Sequence, residues 1–367
     1  MSMSAVEWKK LGDVIQVLRG RRLTKTELLE EGQYPVFHGG LEPLGYYNLS
    51  NREADSVMVI NVGASAGTVG YCESDFWSSD GCFTLSKNPL LLPKYIFCYL
   101  KQEERKIASK VRKAGIPTLD AKVIEDINIP LIDVQRQQEI VSHLDTFTTL
   151  ISNLESELDM RRKQYEHYRN QLLDFEGVEG VEWKTLGEVC DVFDGTHQTP
   201  QYTDFGVKFV SVENINDPYS SKKYISLEDY DSKYKTKPRR NDVLMTRIGD
   251  VGTCYILDKN EPIAYYVSLA LLRPNSDFVT SGYIKDIVES RTGKGELRKR
   301  TLLTAVPLKI NLGEISKIKI PIPSLSTQQE IVSKLDAFEN LIQSLEQEIK
   351  LRKQQYEYYR EKLLTFE

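Results

Sequence analysis

The chain lacks paired cysteines, clustered histidines, a phosphate-binding glycine loop and any apolar run long enough to span a bilayer. Its five cysteines, Cys72, Cys82, Cys98, Cys190 and Cys254, are odd in number and never spaced CxxC, so neither a disulfide framework nor a zinc site is expected. The four histidines, His38, His143, His167 and His197, lie far apart, with no HExxH, which leaves zinc chemistry and Cys–His catalysis without support. Neither GxxxxGK[ST] nor GxGxxG after a strand occurs, and ATP and dinucleotide enzymes are disfavoured accordingly. Asn216–Tyr219 reads NDPY, one proline short of the (D/N)PP(Y/F) motif of amino-methyltransferases, and is read as a turn. Carboxylates are plentiful, but their spacing singles out no nuclease cluster. The opening MSMSAVEWKKLGDV has no apolar core of the signal-peptide kind, so a cytoplasmic, membrane-free protein is expected.

What is present is a soluble composition, 40% hydrophobic and 28% charged over 367 residues, enough for two ordinary domains. The net charge of −5 argues at first against nucleic acid, but it is segregated. Residues 133–180 hold 5 basic against 10 acidic side chains and residues 324–367 hold 6 against 8, while segments 1–132 and 181–323 together carry +2. Inside those larger segments stand basic clusters: Arg19, Arg21, Arg22 and Lys25; Lys110, Arg112 and Lys113; Lys233, Lys235, Lys237, Arg239 and Arg240; Arg298, Lys299 and Arg300. Any one cluster is more often a solvated face than a binding site, and four in related domains raise the odds only modestly.

The chain repeats itself. VEWKKLGDV (Val6 to Val14) recurs as VEWKTLGEV (Val181 to Val189), and from Gln137 and Gln328 onward the two copies share 24 of 40 residues without a gap. Between these anchors only an echo survives, Val57 to Val69 against Val243 to Cys254, with Gly63 and Gly67 answering Gly249 and Gly252. A shared fold with different surfaces is expected.

The repeated tails carry a seven-residue apolar pattern, Leu144, Phe147, Ile151, Leu154 and Leu158 in one and Leu335, Phe338, Ile342, Leu345 and Ile349 in the other, each interrupted once by Arg161 or Arg352. Pro130, Pro321 and Pro323 mark the helix starts, Ser326 with Gln329 suggests a capping box, and Gly177 suits a left-handed C-cap. About 39 residues at 1.5 Å each make a helix near 58 Å. Two matching stripes in one chain favour an antiparallel intrachain coiled coil with pseudo-twofold symmetry and the two globular domains at opposite ends; homodimerisation through the stripe is the alternative.

The globular parts read as mixed α/β (α+β). Strands are expected at Ser56–Val62, Cys82–Ser86, Lys208–Val212, Asp242–Thr246 and Ala264–Leu272, with one helix per domain, Pro93–Arg112 and Ser281–Arg291. The resulting boundaries are 1–132, 133–180, 181–323 and 324–367.

A duplicated chain in which a variable domain precedes a helix opening QQEIV, itself preceded by an IPLP-like run, resembles the specificity subunit of type I restriction-modification systems. Ile129–Leu131 with Gln137–Asp145, Ile320–Pro323 with Gln328–Asp336, and the openings Leu11–Gly20 and Leu186–Gly195 carry the resemblance, as do the stretches Tyr34 to Asn48 and Asp194 to Ile215. It implies two target-recognition domains, each reading half of a split double-stranded DNA site. The helices would be spacers and docking surfaces for two modification subunits, with restriction subunits as further partners. Catalysis, S-adenosylmethionine and ATP would belong to those partners, leaving this chain without cofactor, metal or catalytic residue. Two unlike readers predict a non-palindromic site. Candidate base readers are Arg19, Arg21, Arg22 and His38 in the first domain and Thr196, His197, Gln198 and Arg247 in the second; candidate phosphate contacts are Lys110, Arg112, Lys113, Arg239, Arg240, Arg298, Lys299 and Arg300. A coiled-coil scaffold would explain the heptads but not two diverged domains. A stand-alone modifying enzyme would need a cofactor loop or metal cluster that the sequence does not display.

Overall fold

The computed structural model describes residues 6–24 and 26–366, so Lys25 lies outside the described residues. It divides into two compact units, Met1–Ser156 with Gln347–Glu367, and Glu157–Glu346. Both divisions fall inside the long helices, Val134–Leu172 and Leu325–Leu364.

In the first unit the strand Glu7–Lys10 runs antiparallel to Asn128–Leu131, with Trp8 opposite Pro130. A four-stranded antiparallel sheet follows in the order Val17–Arg19, Cys82–Leu85, Ser56–Ile60, Val69–Cys72. Its central strand, SVMVI, is buried at all five positions, as a strand covered on both faces must be. A smaller sheet places Tyr34–Phe37 between Gly45–Tyr47 and the parallel strand Trp77–Ser78. The helix Pro93–Ser109 buries Tyr95, Ile96 and Leu100 in the core of this unit.

The second unit repeats this topology strand for strand. Glu182–Thr185 pairs with Lys319–Ile322; the four-stranded sheet runs Cys190–Asp194, Leu269–Pro274, Val243–Thr246, Cys254–Ile256; the smaller one runs Tyr224–Ile225, Val207–Val210, Ile263–Tyr265. The apolar run expected as one strand over 264–272 is thus two strands in different sheets. Residues Tyr266 to Ser268 make the crossing, where the Val267 amide donates to the Thr196 carbonyl at 2.9 Å. Helix Ser281–Glu289 takes the place of Pro93–Ser109, and Tyr95 and Tyr283, both fully buried, donate their hydroxyls to the carbonyls of Pro130 and Pro321 at 3.2 and 2.8 Å.

A further helix, Arg291–Arg300, goes beyond the expected one per domain. Gly293 in RTGKGELRKR is there for space: a Cβ would lie 2.1 Å from the Ile287 carbonyl oxygen. Ser290 caps this helix through Gly293 N.

The repeated QQEIV segments have a structural cause. Gln137 and Gln328 are completely buried. Gln137 Nε2 donates to the carbonyls of Leu90 and Ile132 (2.8 and 2.9 Å) while its Oε1 accepts from Leu92 N (2.8 Å). Gln328 does the same with Phe278 O, Pro323 O and Thr280 N (2.8, 3.0 and 3.1 Å). Each amide clamps the start of a long helix to its globular part. The helices begin earlier than the Ser326 capping box implied: Asp133 and Ser324 accept from Arg136 N and Thr327 N, and Ser326 lies inside the first turn. Gly177 does take a left-handed φ of 73°, but in a turn beyond the helix end at Leu172.

Within each unit the two helical segments run antiparallel. In the first, Phe147 stacks on Tyr359 at 5.3 Å and Glu155 pairs with Lys353 at 2.6 Å. In the second, Tyr168 stacks on Phe338 at 5.3 Å and Arg162 pairs with Glu346 at 2.6 Å. The arginines that interrupt the apolar stripes are satisfied on their own helices, Arg161 by Glu157 and Gln164, Arg352 by Glu348 and Gln355. The second unit's seam also buries an ionic cluster. Glu339 accepts from both Lys285 and the Tyr165 hydroxyl at 2.6 Å, and Asp286, 3% exposed, has its Oδ1 3.9 Å from Lys285 Nζ and its Oδ2 without a partner. Among the described residues no helix is long and apolar enough to cross a membrane.

Candidate nucleic-acid interface

In the first unit, two separated basic stretches and His38 meet in one cleft of about 370 Å³, lined by Arg19, Arg22, His38, Asn61 and Arg112 together with Asp80, Thr118 and Asp120. Local backbone requirements build it. Gly20 follows Arg19 because a Cβ there would sit 2.0 Å from the Ser79 carbonyl oxygen, and Arg21 is pinned by its amide to Ser78 O and its carbonyl to Trp77 Nε1. The Arg19 guanidinium lies 5.9 Å over the Phe83 ring, so its apolar face is covered and its donor edges stay available. His38 Nδ1 lies 3.2 Å from Gly81 N and 3.3 Å from Asp80 Oδ1. Arg112 is held by an ion pair to Asp120 at 2.9 Å, and Asn61 donates to Asp80 O while its own Oδ1 is buried without a partner. Fork-shaped guanidinium donors beside an amide and an imidazole suit base edges, above all guanine O6 and N7, as well as phosphate.

The other first-domain candidates lie outside the cleft lining: Arg21, Lys110 and Lys113 are exposed cations around it. Asn61, absent from the sequence-based candidates, was accessible through the weak echo, where it aligns with Arg247.

The second unit places different chemistry on the same frame. Leu11–Gly20 and Leu186–Gly195 align without a gap, so Asp194 stands where Arg19 does, Thr196 where Arg21 does and His197 where Arg22 does. Gly195 repeats the close approach of Gly20, with a Cβ falling 2.4 Å from Tyr266 O. Arg247 is 8% exposed, its Nη1 2.5 Å from Asp194 Oδ1, and His197 Nε2 lies 2.8 Å from Asp194 Oδ2. Arg247 as folded is therefore a neutralised, largely buried guanidinium, while Thr196, His197 and Gln198 form a surface turn above it. Arg239 and Arg240 are exposed beside a buried pair that the sequence reading missed, Arg273 bidentate on Asp242 at 2.9 and 2.7 Å. On the helix Arg291–Arg300, Arg298 and Lys299 are exposed and Arg300 is half-buried; Lys299 and Arg300 both reach Glu296 at 2.8 Å. All five cysteines are buried free thiols, and burial pushes Cys82, Cys98 and Cys190 up to about 12, far from reactivity.

The profile of the family described as "Type I restriction modification DNA specificity domain" matches residues 3–160 and again 178–351. The chain belongs to that family. As a type I specificity subunit it is 35% identical over 248 residues to the EcoR124I/EcoR124II specificity subunit of Escherichia coli, a match spanning 63% of this chain and 59% of that relative. It is 24% identical to the MjaVIII specificity subunit of Methanocaldococcus jannaschii, over 98% of this chain and 91% of that one. Among solved structures, the S subunit of a type I system from M. genitalium shares its fold with a TM-score of 0.66 at 16% identity, covering 100% of this chain and 99% of that one. A chain from a structure of type I complex assembly and conformational transition gives 0.64 at 18% identity, covering 98% and 97%. The doubled family match coincides with the doubled topology.

Proposed function

We propose that this specificity subunit reads a bipartite, asymmetric DNA sequence through residues 1–132 and 181–323, one half-site each, without catalytic activity of its own. The observation that carries the reading is the replacement of Arg19 and Asn61 by Asp194 and Arg247 at equivalent places on one scaffold: an open cationic cleft in the first copy, an internal ion pair in the second. Two surfaces of such different chemistry read different bases, so the site is not palindromic. Arg19, Arg22, His38 and Arg112 contact bases or adjacent phosphates in the first half; Thr196, His197 and Gln198 do so in the second. Lys110, Lys113, Arg239, Arg240, Arg298 and Lys299 supply salt-dependent phosphate contacts. Residues 133–180 and 324–367 set the spacing of the half-sites and dock two modification subunits. Those subunits, with restriction subunits, bring the S-adenosylmethionine and ATP chemistry in the cytoplasm.

Methylation sequencing of the native genome tests this directly: a split motif carrying methylated adenine on both strands is the expected result. Exchanging residues 11–132 for those of a relative should then change one half of the motif and keep the other. A change in both halves, or methyl transfer by the subunit without partners, would refute the proposal.

A further inference from the structure

Two loops, whose tips have been given no contact so far, share a construction. Arg112–Thr118 and Leu302–Lys309 are each closed by an antiparallel bridge between their end residues, and a second bridge joins Thr118 to Val62 and Lys309 to Ile248. The left-handed glycines Gly63 and Gly249 donate to Pro117 O and Leu308 O at 2.9 and 2.8 Å, and Leu119 N and Ile310 N donate to the carbonyls of Asn61 and Arg247 at 2.8 and 3.0 Å. The second loop is one residue longer, yet both carry near the tip a β-branched aliphatic directly before proline: Ile116, 71% exposed, and Val306, 98% exposed. An aliphatic side chain held out in water twice, at matching places in two surfaces that otherwise diverged, has no packing role within either unit.

We infer that these loops are groove wedges, in which Ile116 and Val306 enter the base stack of each half-site while the surrounding cations hold the backbone. The inference rests on the proposed reading of the chain as a two-domain DNA reader. Three observations select a duplex as the occupant. Arg112 and Thr118, the two ends of the first loop, themselves line the cationic cleft with Arg19 and His38. Neither 110–118 nor 298–309 contains a carboxylate, and Lys110, Arg112 and Lys113 flank one tip as Arg298, Lys299 and Lys309 flank the other. The roots of both loops bond to Asn61 and Arg247, the residues at the centre of each candidate surface. Apolar side chains inserted at base steps are an established way to unstack and bend DNA within a cationic frame. Proline after the tip residue restricts both to extended backbone, so little freedom is lost on insertion.

The test uses the assembled complex with its modification subunits and duplexes carrying the methylated motif, with 2-aminopurine placed at successive positions. The unaltered complex should brighten one position in each half-site as the neighbouring stack opens. Ile116→Ala should abolish brightening in the first half-site only and Val306→Ala in the second only. Each should weaken specific binding roughly tenfold, in line with the apolar area lost, with the salt dependence unchanged. Lys113→Ala, the control, should lower the salt slope and keep the brightening. Unchanged affinity and brightening in both alanine variants would overturn the wedge while leaving DNA reading intact. So would impaired assembly with the modification subunits at unaltered DNA affinity per assembled complex, which would make the loops protein-docking elements. An unaltered complex with no preference for the motif duplex would instead bring down the reading on which the inference rests.

Discussion

Arg19 and Asp194 are the last residues of equivalent strands, Val17–Arg19 and Cys190–Asp194, and carry opposite charge on the same backbone frame. The glycine after each fits against a neighbouring backbone where no Cβ could, so the frame is fixed while the side chain before it is free to vary.

Arg19→Ala should weaken discrimination at one base pair of the first half-site by about 1–3 kcal/mol, the usual worth of a guanidinium–base contact. The second half-site should be unaffected. Competition binding across single-base variants of the motif measures this, and uniform loss across all sequences would reassign Arg19 to phosphate.

Asp194→Ala should destabilise the second unit by about 3 kcal/mol, because it strips the counter-charge from Arg247, whose Nε already lacks a partner. Adding Arg247→Met to Asp194→Ala should restore most of the stability. Denaturant unfolding of the four proteins of that cycle gives the coupling; additive losses would deny the ion pair its structural role.

Gln137→Glu should be more damaging than Gln137→Leu. The amide Nε2 faces two carbonyl oxygens, Leu90 O and Ile132 O, and a carboxylate can only present a third acceptor to them unless it takes up a proton. Leaving the buried groups unmatched costs about 1–3 kcal/mol each. The comparison is read as thermal midpoints at neutral pH, and equal midpoints for the two variants would contradict the clamp.

Burial in the helical seam raises the Asp286 carboxyl from its ordinary range to about 7, only partly offset by Lys285. The folded form thus holds a proton that the unfolded chain releases near pH 4. Below pH 4 both states are protonated and Asp286 contributes nothing; between pH 4 and 7 stability falls as pH rises; above 7 the full penalty is present. Asp286→Asn should flatten this decline and unfold later than the unaltered protein at pH 8. Parallel pH profiles for the two would show that Asp286 is ionised in the folded state.

The sequence by itself determined the duplication, the two long helices and the family, because these rest on features written along the chain: a seven-residue apolar period, proline at the helix starts, and anchor segments repeated almost letter for letter. It also located most of the basic stretches. It did not distinguish an open cation from a neutralised one, since Arg19 and Arg247 look alike as letters and differ by what lies across the sheet. Strand pairing over more than 50 residues puts Arg247 against Asp194, and brings Arg112 to Arg19 and His38. The same long-range pairing split 264–272 between two sheets. Which charges face solvent and which are consumed within the fold is decided by contacts between residues remote in the chain, and only the tertiary structure sets those.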